Sequence, residues 1–195
     1  MDPIRRKRLM KRVLSLVVAG LLPAVAFAQG APQKITMTTG LQYQYDSLKR
    51  NLKEAAERMP PADYGFKPKP DMKPFGQVFG HIANAQFRSC AALKGEPNPN
   101  QGNDAEKKTT KAEFVKDLSN SFAYCDSAFA AATDSNIAQL VKTTVHFYDE
   151  SAGANQQNEV ARGYIMIDLV RHDWSALSTA GMYLKLKGVA PPHIR

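Results

Sequence analysis

Apolar residues recur at intervals of three and four along most of this chain, and no stretch sustains the alternation of a half-buried strand. In TTGLQYQYDSLKRNLKEAAERM, residues 38–59, Leu41, Tyr45, Leu48, Leu52, Ala55 and Met59 fall on one face of a helix. That helix must stop at PPADYGFKPKPDMKP, because five prolines in fifteen residues remove backbone donors and keep the preceding residues extended. A second helix starts near Pro74 and runs through FGQVFGHIANAQFRSCAALKG. Phe75, Val78, Phe79, Ile82, Gln86, Ser89 and Leu93 form its stripe, and Gly95 supplies the stop.

EPNPNQGNDAEKK is polar and reads as a loop. Thr110 followed by Glu113 is a capping box, and it opens a third helix whose buried side is Phe114, Leu118, Phe122, Cys125 and Phe129. The pattern then weakens: NIAQLVKTTV, residues 136–145, reads as a short helical piece, and HFYDESAGAN as a loop or brief extended stretch. A long last helix spans about 156–187, ended by Gly188 and then Pro191 and Pro192. Four long amphipathic helices must hide their stripes against one another, which predicts an all-α, four-helix-bundle fold.

The N-terminus changes how charge is read. A basic segment, MDPIRRKRLMKR, precedes an apolar run and the small residues Ala26 and Ala28, the pattern of a secretory signal peptide over residues 1–28. The run is interrupted by Pro23 and is shorter than a bilayer span, so no stable membrane anchor is expected after cleavage, and residues 29–195 form a single domain. The 26 basic and 18 acidic residues become 20 and 17 once the leader is removed, so the formal +8 falls to +3 and no longer points to nucleic acid. The expected compartment is periplasmic or secreted. There Cys90 and Cys125, the two cysteines of the chain, are candidates for a disulfide, the alternative being two buried thiols that pack as small hydrophobes.

Two histidines fall inside predicted helices. His172 shares a face of the last helix with Ile165, Leu169, Ala176, Ala180 and Tyr183, and His81 sits at the border of its own stripe. Bundle cores build metal sites from side chains on facing helices, and two histidines four apart on one helix can supply two ligands. Four residues before and after His172, however, stand Asp168 and Ala176. On the residues alone His172 reads as a hydrogen-bonded core histidine. His146 and His193 lie in loop-like segments, Ser175, Ser178 and Thr179 lack an activating base, and no phosphate loop, dinucleotide fingerprint or CxxC pair is present.

Residues 55–86, AAERMPPADYGFKPKPDMKPFGQVFGHIANAQ, and 172–192, HDWSALSTAGMYLKLKGVAPP, resemble the DinB/YfiT-like superfamily, particularly exported bacterial members. The resemblance implies a four-helix bundle holding a divalent metal, nickel or zinc, on three histidines: one on the second helix and an HxxxH pair on the fourth. His81 matches the first ligand and His172 the first of the pair, while the second of the pair falls on Ala176. Some relatives are thiol-dependent S-transferases, one is a maleylpyruvate isomerase, and many have no assigned activity.

Two functions follow from that departure. In the first, the metal site is degenerate, no cofactor is needed, and the bundle binds a small-molecule ligand or is structural. In the second, the chain is a divalent-metal-dependent enzyme, a thiol S-transferase or hydrolase, in which His81 and His172 hold the ion and Asp168 or solvent completes the shell. Homodimerisation through helix faces fits either.

Overall fold

The four stripes meet as expected. A computed structural model describes residues 34–143 and 158–193, and within the unit Ile35–Arg195 four helices carry the fold: α1 Met37–Arg58, α2 Phe75–Lys94, α3 Lys111–Ala130 and α4 Arg162–Leu186. Helix ends follow the punctuation in the sequence. Thr110 and Glu113 close the capping box at α3, an arrangement worth about 1 kcal/mol. Thr36 and Thr39 do the same at α1. Gly95 and Gly188 take left-handed φ values of 70° and 71° just past α2 and α4, where a side chain would be strained.

Side-chain contacts fix the helix directions. Near the start of α1, Gln42 donates to the carbonyls of Phe129 and Ala132 at the end of α3, while Lys111 at the start of α3 donates to the carbonyls of Glu57 and Met59. These two helices are antiparallel. Trp174 donates to Gln44, and Arg58 to the carbonyls of Ala190 and Pro191, so α4 runs parallel to α1. Helix α2 packs on α3 and α4, and α1 packs on the same two. The parallel pair α2 and α3 requires a long crossover, residues 95–110, which carries the 3-10 turn Ala105–Lys107.

Leu48, Leu52, Phe79, Ile82, Leu118, Phe122, Ile165 and Tyr183 are fully buried in one core. Cys90 and Cys125 are joined as a disulfide between α2 and α3, with Cα atoms 5.3 Å apart. Among the described residues no helix is long and apolar enough to cross a membrane.

One region corrects the sequence reading. Spacing predicts a helical piece over 136–145, but Leu140–Thr143 is a strand, β1, antiparallel to β2, Asn158–Ala161, with Leu140 opposite Ala161 and Thr143 opposite Asn158. The carbonyls of Ile137 and Gln139 accept from Gly163 and Arg162, so the chain here pairs sideways with the approach to α4 instead of coiling. Helix α4 therefore begins at Arg162, later than the pattern suggests. The leader over 1–28, the segment HFYDESAGAN and His146 within it lie outside the described residues.

Candidate functional site

The α2 flank has two gaps that its neighbours fill. A Cβ at Gly76 would meet the Phe114 and Tyr64 rings, and one at Gly80 would meet the Ala105 backbone carbonyl, so the turn Ala105–Lys107 lies directly on the helix. Asn84, one turn on, fastens it: Oδ1 accepts from the Ala105 N–H at 3.0 Å, and Nδ2 donates to Asp104 at 2.8 Å. Glu106 is thereby delivered to His81, with Oε1 2.7 Å from Nδ1, and its other oxygen pairs with Lys73. Burial alone would raise the Glu106 carboxyl. The hydrogen bonds from Lys73 and His81 outweigh burial and hold it below its ordinary range, so the carboxylate accepts and His81 Nδ1 carries the proton.

Across from His81 stands His172, with ring centroids 5.0 Å apart and planes inclined by 46°. The two rings line a cleft of about 330 Å³ between α2 and α4, walled by Met72, Val78, Ala176, Thr179 and Tyr183. Tyr183 donates its hydroxyl to the Lys73 carbonyl at 2.9 Å, tying α4 to the proline-rich connection at the mouth.

Behind His172 lies a polar cluster. Asp173 is 1% exposed and accepts from Gln86 Nε2, itself fully buried. Its second oxygen, Oδ1, is 3.6 Å from His172 Nδ1, too far for a hydrogen bond, and Oδ1, that Nδ1 and Gln86 Oε1 are buried without a hydrogen-bond partner. Burial pushes the Asp173 carboxyl up to about 6, against the opposing pull of His172 and Gln86.

A family model described as the DinB superfamily matches residues 44–155, more than half of the 195-residue chain. The chain belongs to the DinB superfamily. Two solved structures share this fold. A DinB-like protein from Bacillus cereus ATCC 10987 superposes with a TM-score of 0.63 at 10% identity, covering 80% of this chain and 96% of that one. A conserved protein from Enterococcus faecalis gives 0.53 at 16% identity, covering 78% and 99%. No curated protein sequence matches.

The residues singled out in the sequence divide in this DinB bundle. His81 and His172 come together, and Ala176 joins them on the cleft wall. Asp168 pairs with Arg171 at 2.6 Å and is not among the residues that line the cleft. His193 lines a separate groove beside Leu177 and Met182. Among the described residues no group of three His, Cys, Asp or Glu is arranged to hold a metal ion.

His172 is not the inward core residue that its face suggests. At about 100° per residue the buried positions of α4 span an arc of about 160°, from Ile165 and Tyr183 to Gly163, and Asp173 sits at its middle while His172 lies just outside. The periodicity holds that signal for Asp173. Glu106 has no such signal, because it belongs to an aperiodic polar loop.

Proposed function

We propose that this chain is an exported DinB-superfamily protein whose family metal centre is degenerate, and that its α2–α4 cleft binds a small organic molecule. The observation that carries the reading is Ala176. The resemblance implies nickel or zinc on three imidazoles, and a methyl group stands where the third would be. Glu106, the carboxylate nearest His81, is held on Nδ1 and on Lys73. Two imidazoles are a poor donor set for an ion that takes three protein ligands and one solvent molecule, so the residues do not fit the implied group. The cleft keeps what a small ligand needs, apolar walls with a few convergent polar groups.

Export is supported by the leader pattern and by a disulfide suited to an oxidising compartment. Sequencing the N-terminus of the protein recovered outside the cytoplasm should read from Gln29; an intact Met1 there would refute cleavage. For the metal, protein purified without an affinity tag or chelator should carry well under one equivalent of nickel or zinc. One tightly held ion per chain, lost in His81→Ala and in His172→Ala, would overturn the reading.

One observation favours a second function. Histidines that ligate metals donate their other ring N–H to a carboxylate, as His81 does to Glu106. On this reading His81 and His172 hold a divalent ion whose shell is completed by solvent or substrate, in a thiol S-transferase or hydrolase. Turnover that chelation abolishes and added metal restores is its test.

A further inference from the structure

Each imidazole in the cleft has a carboxylate on the same side of its ring. Glu106 Oε1 lies 2.7 Å from His81 Nδ1, and Asp173 Oδ1 lies 3.6 Å from His172 Nδ1. In the second pair both atoms are buried and unpartnered, and an N–H facing a carboxylate oxygen satisfies both, whether by closing the gap or through one water. A proton on Nδ1 leaves the other ring nitrogen, Nε2, with a lone pair. Two rings 5.0 Å apart, one from each helix of the cleft, then offer two acceptors and no donor between them.

Charge selects further among ligands. Lys73, which also lines the cleft, is paired with Glu106, whereas Asp173 accepts from the uncharged Gln86 amide and has no Lys or Arg partner among the described residues, so the carboxylate beside His172 stands without a fixed countercharge. Met72, Val78 and Ala176 furnish an apolar wall beside them. We infer that the cleft takes a primary ammonium group on a short apolar chain, hydrogen-bonded by the Nε2 atoms of His81 and His172, with Glu106 and Asp173 as the residues that position the two rings. This rests on the proposal that the cleft binds a small molecule, and it names the class.

The test is nitrogen NMR of the histidine-labelled full-length mature protein at pH 8, with n-butylammonium and butyrate as probes. Both rings should show the proton on Nδ1, and butylammonium should shift both ring signals saturably while butyrate leaves them in place. Glu106→Gln keeps an oxygen for His81 to donate to, so its tautomer should persist while butylammonium binds about tenfold more weakly from the lost charge. Asp173→Asn should do the same at His172; if that variant does not fold, Glu106→Gln still decides. A proton on Nε2 of both rings, unchanged butylammonium affinity in Glu106→Gln, or butyrate binding in place of butylammonium would overturn the inference and leave the cleft as a ligand site. No shift from either probe would count against the cleft as a small-molecule site altogether.

Discussion

Toward α3, helix α2 is held by a disulfide, by the Phe114 and Tyr64 rings over Gly76 and by the Ala105 backbone over Gly80. Toward α4, the same helix presents His81, Gln86 and Val78 to a cleft and to a carboxylate with an unpartnered oxygen. The first flank is closed by a covalent bond and aromatic packing, and the second gathers three buried polar atoms without partners, Gln86 Oε1, His172 Nδ1 and Asp173 Oδ1. Buried polar atoms without partners cost about 1–3 kcal/mol each, so a bundle selected for stability alone would place apolar residues at these positions. The contrast sets the support of α2 on the α3 side, and it is the α4 side that the proposed ligand cleft draws on.

The support is broken most severely by removing the cross-link. Its 35-residue separation is worth about 4 kcal/mol in the chain-entropy account, so Cys90→Ala combined with Cys125→Ala should lower the urea midpoint by that equivalent without changing the fold seen by circular dichroism.

The α4 side should respond in the opposite direction. Because the Asp173 carboxyl is raised in the folded protein to about 6, from 3.8, the native state binds the proton more tightly than the unfolded chain. Its contribution is fully present below pH 3.8 and is lost as pH rises through about 6, at a cost of up to about 3 kcal/mol at pH 8. Asp173→Asn should therefore be more stable than the parent at pH 8, with the difference shrinking to near zero by pH 4. A pH-independent difference in denaturation midpoints would show that Asp173 does not ionise in place.

Ala176→His sharpens the functional half of the comparison by supplying the third imidazole. With free zinc at one hundred times its Kd the variant should gain about 2.7 kcal/mol of stability, while the parent gains much less under the same conditions. Equal gains would mean that the third position is irrelevant. The smallest effect belongs to the seam between the flanks. Gly80→Ala drives a methyl into the Ala105 carbonyl, which should cost about 2 kcal/mol and move the turn that carries Glu106, read as a changed His81 ring signal.

These flanks were unequally legible from the sequence. The stripes of α1, α2 and α3 and the box at Thr110 are local patterns, and local patterns set those elements. Ile137, Leu140 and Val141 also sit at helical spacing, yet β1 forms because its partner lies across a connection, a pairing that no window around residue 140 contains. At the site, the likeness to a family matched His81 and His172 to facing ligand positions. Glu106 escaped because its place depends on Gly80 and Asn84, 26 and 22 positions away, accepting a turn from a loop without periodicity. Asp173 sits in the middle of the buried arc and was available to the same angular reading that selected its neighbour. A charged residue on an apolar face looks like an interruption until its partner, Gln86, is known.

The covalent bond between Cys90 and Cys125 has a consequence for the order of assembly. Both thiols precede α4 in the chain, so oxidation can lock α2 to α3 before residue 162 has arrived. Helix α4 would then dock last onto a template already fixed, and the pairing of the two imidazoles becomes the final event of maturation.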